Sequence, residues 1–280
     1  EKVYSIPMLL MIGWRGAPGI SDEPQHEVKG KITQDILKLL NIKICKINKY
    51  SDLKKLGTLI TFAKKNNKPV ACLIKKGVLI SKKKINKRIK ENGISRNLFL
   101  TKLLNRIKNK SKLISTTGYT SRELSQIRKD HNIKIGKDFY MVGGMGHASM
   151  VANGVSLNYK NDVICLDGDG SFLMHLGSVV NIGKIFKKNF KHILLNNFSH
   201  ESGGGQTTNI DKFNIKNFVL SAGYKNYFLI DNKKKIDKVL KKFITINGPT
   251  LLEVRIKQGS IKNLGRPKNL KKIKQVFMKN

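Results

Sequence analysis

The sequence is short of acidic residues: 18 Asp and Glu stand against 55 Lys and Arg, and the formal net charge is +37. Such an excess suggests nucleic-acid binding, because basic surfaces attract phosphate backbones. Arginine is scarce too, since only 8 of the 55 cations are Arg, and the lysine runs contain no interleaved aromatic residues. Phosphate and base recognition favours the arginine fork and stacked rings. We therefore interpret the charge as a solvated lysine surface, with a fragment that binds RNA or an acidic partner as the rival class.

Cysteines and long apolar runs are also few. Cys45, Cys72 and Cys165 each lie in an apolar, strand-like run, where a free thiol behaves as a small hydrophobic group. Neither disulfides nor a cysteine metal cluster is expected. No run approaches the ~18 apolar residues of a membrane span, and the apolar stretch 6–12 lacks a signal-peptide cleavage site. The sequence predicts no membrane partner, and the cytoplasm is the expected location.

The remaining composition is that of a globular α/β protein. Its 280 residues, 40% of them hydrophobic, are enough for one large or two modest domains. Apolar runs alternate with helical patterns, which predicts parallel sheets. Strands are predicted at 7–12, 42–47, 69–75, 112–115, 138–142, 163–166, 192–195, 227–230 and 250–256. Helices are predicted at 32–40, 53–65, 98–107, from about 121, from 149 to about 157, after 170, at 217–224 and at 235–246. The pattern opens directly on an apolar strand, so we expect its first part to be missing.

The central stretch, residues 163–208, combines two strand ends that suit a metal ion. The first strand is followed by the turn Gly168-Asp169-Gly170 and a helical pattern, and the next strand ends on Asn197. Carboxyl ends of parallel strands share one sheet edge, so Asp169 and Asn197 are expected to meet there. A carboxylate, an amide oxygen and a helix start suit Mg²⁺ bridging to a diphosphate. A Gly-Asp-Gly turn alone is more often an ordinary turn. The pair Asn196-Asn197 at the end of the next strand favours the metal-site interpretation instead.

These motifs resemble those of thiamine diphosphate enzymes. GDGS followed after this interval by NN is similar to their diphosphate-binding motif. Four further stretches resemble the phosphonopyruvate decarboxylase family, with sulfopyruvate decarboxylases as near relatives. They are IGWRGAPGISDEPQH at 12–26, STTGYTSREL at 115–124, GGMGHAS at 143–149 and NNFSHESGGGQTT at 196–208. The resemblance covers essentially the whole chain, with departures at Gly203 and at Ile261, where the family has Arg.

The resemblance implies two doubly wound, mostly parallel-sheet domains that bind thiamine diphosphate, the first incomplete at its N-terminus. Residues 1–80 correspond to the later part of the pyrimidine-binding domain, 81–93 to a Lys-rich linker and 94–280 to the diphosphate-binding domain. In this superfamily the early part of the first domain supplies a glutamate that activates the cofactor ring. Glu1, Glu23 and Glu27 lie outside the matching motif, so we expect this fragment alone to be nearly inactive.

The resemblance also implies cofactor and metal contacts. Asp169, Asn197 and the Ser199 carbonyl would be the Mg²⁺ ligands. Met145 would support the bent cofactor, in place of simple core packing. The other implied cofactor contacts are Thr117, Gly118, Gly143, Gly144, Gly170 and Ser171, where a helix cap alone would also explain the Ser and Thr residues.

The implied reaction is thiamine diphosphate- and Mg²⁺-dependent decarboxylation of phosphonopyruvate, a 2-keto acid, to phosphonoacetaldehyde and carbon dioxide in phosphonate biosynthesis. Sulfopyruvate is the alternative substrate. Gln25, His26, His200 and Glu201 are the catalytic candidates, although the loop around Gln25 is equally well explained as a surface loop. Arg266 is the candidate for the substrate anion, with Lys262 as a substitute. Relatives build each site across a subunit interface, so a homodimer or tetramer is expected.

Overall fold

The computed structural model describes residues 3–80, 93–131, 133 and 137–279. The chain divides into two compact units, Glu1–Lys84 and Ile85–Asn280. The predicted lysine-rich linker, residues 81–93, lies outside the described residues except for its last position. The two units are described separately below.

The N-terminal unit is a three-stranded parallel sheet with two helices. Its elements are β1 (Met8–Gly13), α1 (Pro24–Leu39), β2 (Lys43–Ile47), α2 (Lys55–Asn66) and β3 (Pro69–Ile74). The strand order is β1-β3-β2, so β3 is central, and its near-continuous apolar sequence fits burial on both faces.

The predicted start of the first helix, residue 32, was wrong by eight positions. Helix α1 begins at Pro24, because proline has the helical φ already and the first helical position needs no N–H partner. Gln25 and His26 therefore lie in the first turn of a helix, and not in the loop that the Gly and Pro residues before them suggested.

The C-terminal unit contains the remaining elements. Its strands are β4 (Lys112–Ser115), β5 (Asp138–Tyr140), β6 (Val163–Gly168), β7 (Phe190–Asn196), β8 (Ser199–His200), β9 (Gln206–Thr207), β10 (Asn226–Ile230) and β11 (Thr250–Arg255). Its helices are α3 (Arg96–Leu104), α4 (Tyr119–Asp130), α5 (Ala148–Asn158), α6 (Asp169–Met174), α7 (Gly177–Ile185), α8 (Ile215–Ser221), α9 (Ile236–Thr245) and α10 (Leu270–Lys279). The predicted strands are confirmed, whereas β8, β9 and α10 were not predicted. No helix in the described part of the chain has both the length and the hydrophobicity to cross a membrane.

The strand order of the main sheet creates a crevice at one edge. Six strands pair in parallel in the order β10-β11-β7-β6-β4-β5. The chain moves from β4 outward to β5 and then returns to the opposite side of β4 to form β6. In open α/β sheets, ligands bind where the strand order reverses in this way, outside the carboxyl ends of the strands. The crevice therefore lies after β4 and β6, where Thr116 and Asp169 follow.

Two apolar clusters cover the two faces of this sheet. Leu113, Leu166 and Leu252 point to the face that packs against α3, α4 and α9. Ile114 and Cys165 are adjacent in sequence to Leu113 and Leu166, and they point to the opposite face, which packs against α5, α7 and α8. Because side chains alternate along a strand, both faces of the central strands are apolar. This confirms the doubly wound α/β class.

Two buried lysines hold helix ends against the sheet. Lys191 in β7 donates from Nζ to the carbonyls of Phe243 and Ile246 at the end of α9, at 3.1 and 2.6 Å. Lys112 in β4 donates to the carbonyl of Phe277 in α10 at 3.0 Å. The last carbonyls of a helix have no partner within the helix, so these ammonium groups satisfy them. Burial lowers the pKa of both lysines.

We expect Gly183→Ala to lower the free energy of unfolding by about 1–3 kcal/mol, because a methyl group there would overlap the carbonyl oxygen of Ala222 and force α7 away from the neighbouring turn. Gly154→Ala is the matched control, since Gly154 also lies in a helix and has nothing within 4 Å of an added Cβ. That control should gain roughly 0.5–1 kcal/mol. Denaturant unfolding of the two variants compares them directly, and equal stability would contradict the close packing at Gly183.

Candidate active site

An open cleft lies at the carboxyl ends of β4, β6 and β7. It is the crevice that the strand order predicts, and it collects most of the residues singled out from the sequence. The lining residues are Arg96, Thr116, Thr117, Tyr119, Thr120, Met145, Gly168, Asp169, Gly170, Ser171, Leu195, Asn197, Ser199, His200, Glu201 and Ser202.

Asp169 brings a buried carboxylate to this cleft. Its side chain is only 2% exposed, and the Thr208 hydroxyl donates to its Oδ2 at 2.7 Å. Burial raises the pKa of Asp169, while the Thr208 hydroxyl and the main-chain amides of Asn197 and Gly170 oppose the rise. No Lys, Arg or His among the described residues forms an ion pair with this carboxylate. A buried carboxylate that is to stay ionised needs a positive partner, so the position suits a cation.

Asn197 and Ser199 face the same cleft from the loop after β7. The Asn197 side-chain oxygen accepts from the Ser199 amide at 3.1 Å, and its Nδ2 donates to Glu201 at 3.0 Å. Asp169 and Asn197 meet as the sequence predicted, because β6 and β7 are parallel neighbours with Gly168 opposite Leu195. Asp169 brings a carboxylate and Asn197 a side-chain amide oxygen to the lining of the cleft. Hard divalent cations prefer such oxygen ligands.

The Ser171 hydroxyl ties three loops together beneath the cleft. Its oxygen accepts from the Thr116 hydroxyl at 2.9 Å and from the Gly146 amide at 3.0 Å. A hydroxyl offers two acceptor positions and one donor, so both acceptor positions are filled and the O–H remains available to donate. The Thr117 hydroxyl similarly accepts from the Gly143 amide at 3.2 Å. The turns after β4, β5 and β6 are thus held in register.

Glycines let main chain approach closely on one side of the cleft. Gly143, Gly144 and Gly146 all have positive φ values, 78°, 58° and 94°, a conformation that other residues avoid. They carry the chain around Met145, whose side chain lines the cleft. Gly170 approaches so closely that an added Cβ would collide with the His200 ring and come within 3.1 Å of Met145 Cε.

A buried arginine that sequence reasoning did not single out also lines the cleft. Arg96 donates to Glu123 at 2.9 Å and to Glu201 at 2.8 Å. Arg96 and Glu123 are 5% and 1% exposed, whereas Glu201 is partly exposed. One signal existed: in a chain whose cations are nearly all lysine, an arginine marks a place where the planar fork matters.

Six predicted residues are not among those that line this cleft. Gly118 and Gly144 are next to lining residues in the sequence, Gly143 is next to Gly144, and the other three lie farther away along the chain. Gln25 and His26 belong to the N-terminal unit, where His26 Nδ1 lies 3.2 Å from Asp22 Oδ1. Arg15, which pairs with Asp22, holds the pKa of that carboxyl well below its usual range. Arg266 is exposed in the segment after β11 and does not line the cleft. The catalytic and anion-binding roles of these residues stay predictions.

A buried cluster lies directly behind the Gly168-Asp169 turn. His192 contacts Tyr224 at 3.0 Å through Nδ1 and Asp167 at 3.4 Å through Nε2, and Cys165 lies beside them. Asp167 also accepts the amide of Gly168 at 2.9 Å. Both ring nitrogens of His192 already have partners among the described residues. The cluster therefore holds Asp167, and with it the end of β6, in place. Sequence reasoning treated Cys165 as a small core residue, and burial does raise the pKa of its thiol.

Known proteins share this sequence pattern. Residues 117–254 match the model of the thiamine pyrophosphate enzyme C-terminal TPP binding domain. The chain is 32% identical to phosphonopyruvate decarboxylase from Streptomyces viridochromogenes, over 94% of this chain and 69% of that protein. The chain belongs to the phosphonopyruvate decarboxylase family. It is therefore a thiamine diphosphate-dependent decarboxylase, a carboxy-lyase, and Mg²⁺ is the usual partner metal of that cofactor.

Two further similarities are consistent with membership of the phosphonopyruvate decarboxylase family. Sulfopyruvate decarboxylase subunit beta from Methanocaldococcus jannaschii is 37% identical over 40% of this chain and 57% of that subunit. A solved structure of a thiamin diphosphate-dependent enzyme from Mycobacterium smegmatis has a TM-score of 0.50 and 16% identity, over 72% of this chain and 39% of that one. The latter similarity shows the fold alone.

Proposed function

We propose that this protein decarboxylates phosphonopyruvate to phosphonoacetaldehyde, with Mg²⁺ held by Asp169, Asn197 and the Ser199 carbonyl. The observation that carries the proposal is the convergence of these three residues in one cleft at the reversal point of the sheet. When bound, thiamine diphosphate supplies the carbon nucleophile and the electron sink that decarboxylation requires.

The chain's own residues would bind and orient the reactants. Asp169 supplies the formal negative charge toward the cation, and the Thr208 hydroxyl keeps its carboxylate in place. Gly170 and Ser171 would hold the diphosphate at the helix start, through the Ser171 amide and its remaining O–H, because the Gly170 amide already faces the Asp169 carboxylate. The opposite wall of the cleft would be formed by Thr117, Gly118, Gly143 and Gly144. A hydrogen bond from the Gly143 amide to the Thr117 hydroxyl already joins the two turns that contribute these residues.

His200 is the proposed proton carrier on the substrate side of the cleft. Its ring lies against Gly170 and lines the same cleft as Met145. Both carboxylate oxygens of Glu201 are engaged, by Arg96, Asn197 and the amide of Gly259. His200 is therefore better placed than Glu201 to give or take a proton.

The phosphonate is favoured over the sulfonate by the extent of the similarity. The phosphonopyruvate decarboxylase from Streptomyces matches 94% of this chain, across both compact units. The methanogen sulfopyruvate decarboxylase subunit matches 40% of it. Similarity that extends across both units of this chain fits the first pattern. Phosphonate biosynthesis is then the pathway in which this decarboxylation takes part.

A homodimer or tetramer is the proposed assembly. The name of the methanogen relative identifies it as one subunit of a larger enzyme, which supports an oligomeric arrangement for a related chain. Light scattering of the purified protein in the presence of cofactor would give the mass. A monomer that turns over substrate would contradict this part of the proposal.

Removal of the divalent ion tests the proposed function directly. We expect the full-length protein, supplied with thiamine diphosphate, to release carbon dioxide and phosphonoacetaldehyde from phosphonopyruvate, to stop after dialysis against a chelator, and to recover with added Mg²⁺. Carbon dioxide and phosphonoacetaldehyde are measured separately, so that decarboxylation without release of the aldehyde is detected. Undiminished turnover after chelation would contradict the metal assignment, and the absence of both products under all conditions would contradict the reaction.

A further inference from the structure

We propose that Arg96 is a positioning residue that acts through Glu201 on Asn197, so that the affinity for Mg²⁺ depends on a guanidinium that does not touch the ion. The inference rests on the proposed role of Asn197 as a metal ligand. It adds a residue to the site for which neither the family's motifs nor the relatives' names suggest a function.

The first step is the orientation of the Asn197 amide. Asn197 Nδ2 donates to Glu201 Oε2 at 3.0 Å. An ionised carboxylate can only accept hydrogen bonds, so the end of the amide that faces Glu201 has to be the NH₂ group. The oxygen must then lie on the other side, where it accepts from the Ser199 amide and is available to a cation. Glu201 therefore determines which atom Asn197 presents.

The second step is what holds Glu201. Arg96 Nη2 donates to the same Oε2 at 2.8 Å, and Arg96 Nη1 donates to Glu123 at 2.9 Å. Glu123 lies in α4 and is almost fully buried, so it anchors the guanidinium to the core of the domain. Burial raises the pKa of Glu123, and the Arg96 charge opposes that rise. With both donor groups engaged, the planar fork has one orientation, and Glu201 is held in one place.

The third step is a link to the chain after β11. The Gly259 amide donates to Glu201 Oε1, and Arg96 Nη1 lies 3.3 Å from the Gly259 carbonyl oxygen. Gln258 Nε2 donates to the Asn197 carbonyl at 3.3 Å. The same charged group therefore fixes the metal-ligand loop and residues 258–259. Both should loosen together when Arg96 is removed.

The charge balance agrees with this role. One guanidinium stands between two carboxylates, so the group carries one net negative charge when both are ionised, and Arg96 and Glu201 line the same cleft as Asp169. Such an arrangement attracts a divalent cation, and it makes Arg96 a poor receptor for a substrate anion.

The test compares Arg96→Met with Arg128→Met in the full-length protein. Arg128 makes an equally buried pair with Asp138, at 2.7 and 2.8 Å, but does not line the cleft, so it reports the cost of losing a buried arginine elsewhere in the domain. Calorimetric titration with Mg²⁺ in the presence of thiamine diphosphate gives the dissociation constant. We expect Arg96→Met to weaken binding by about 10–100-fold, the usual effect of losing an outer partner of a metal ligand. Arg128→Met should change it less than about 2-fold.

Hydrogen exchange of residues 257–260 is the second readout, because it requires neither metal nor turnover. Faster exchange is expected in Arg96→Met and not in Arg128→Met. Should Arg96→Met fail to fold, Glu201→Gln decides the matter: an amide there cannot accept from Arg96, Asn197 and the Gly259 amide together, so weaker Mg²⁺ binding and faster exchange are again expected. Unchanged affinity in the variant that folds overturns the inference. A wild-type protein that binds cofactor without Mg²⁺ overturns the metal assignment itself, which is a distinguishable result.

Discussion

Asp169→Asn is expected to abolish Mg²⁺-dependent binding of thiamine diphosphate and to lower turnover by more than about 100-fold, beyond the effect of losing an outer partner of a ligand. The substitution removes one formal negative charge and leaves the shape of the side chain. Thr208 can still donate to the remaining carbonyl oxygen, so the contact at 2.7 Å survives. The amide NH₂ group cannot accept from the main-chain amides of Asn197 and Gly170 that act on the carboxylate, so the experiment measures the loss of charge together with the loss of one acceptor.

Asp162→Asn is the matched control for this substitution. Asp162 immediately precedes β6 and is thus at the amino end of the same strand that ends just before Asp169. Its carboxylate is partly buried, lies 3.8 Å from the exposed Lys108 and does not line the cleft. We expect this control to bind cofactor normally. Calorimetry with and without Mg²⁺ gives the affinity, and thermal unfolding confirms that both variants are folded.

The stability of the metal-free protein provides a further check on the Asp169→Asn variant. Burial raises the pKa of Asp169 above its ordinary value, so an ionised carboxylate without a cation is unfavourable in the folded protein. Asn at this position carries no charge, and the metal-free Asp169→Asn protein should therefore be at least as stable as the metal-free wild type above the pKa of the carboxyl. Affinity retained by the variant would show that the ion binds elsewhere.

The sheet and the proximity of Asp169 and Asn197 were predictable because they depend on the periodicity of the sequence and on the order of the strands. Alternating apolar runs and helical patterns predicted the strands, and two strand ends in one parallel sheet had to share an edge. Asp169 and Asn197 follow from that alone. The family resemblance then supplied Thr117, Gly143 and Met145, which the structure places in or beside the same cleft.

Contacts between distant segments were not predictable in the same way. Arg96 meets Glu123 and Glu201 across 27 and 105 residues, and no local pattern records such a separation. The start of α1 at Pro24 was missed because Gly and Pro nearby suggested a continued loop, although proline also favours a helix start. Helix α10 was missed because its apolar positions are few among lysines, and Phe277 is the one buried side chain there.

Several of the long-range contacts that the sequence did not predict share one feature: arginines make them, although arginine is scarce in this chain. Arg96 and Arg128 each bind carboxylates inside the domain, and Arg122 donates to the carbonyls of Leu264 and Gly265. Each uses at least two nitrogens of the fork, which lysine cannot reproduce. In a chain this rich in lysine, the eight arginines are the cations to examine first.

Phosphonopyruvate is expected to be the preferred substrate by a wide margin over plain pyruvate. The two share the 2-keto acid and differ in the tetrahedral anion. A site that binds a polar group of its substrate rejects an analogue without that group by about 10⁴–10⁵-fold, because its own polar groups are left unpaired. The ratio of kcat/KM for the two substrates measures this. It requires the same enzyme preparation and saturating Mg²⁺ and thiamine diphosphate.

Sulfopyruvate is the sharper comparison. Phosphonate carries close to two negative charges near neutral pH and sulfonate carries one, so cationic partners should favour the former. Arg266 was predicted as such a partner. If it has this role, Arg266→Met lowers kcat/KM for phosphonopyruvate by about 10–100-fold, the equivalent of one charged hydrogen bond, and leaves pyruvate unaffected. Arg106→Met is the control, because Arg106 pairs with Asp237 on an exposed surface outside the cleft.

The three substrates separate the levels of the proposal. A preference for sulfopyruvate would contradict the substrate assignment and leave the thiamine chemistry intact, because both substrates lose carbon dioxide from the same 2-keto acid. Equal rates with pyruvate would show that no anion pocket contributes to selectivity. The expected order, phosphonopyruvate above sulfopyruvate above pyruvate, requires a pocket that recognises both the presence and the charge of the tetrahedral group. Loss of the first step of that order in Arg266→Met, with the second retained, would assign charge recognition to this residue.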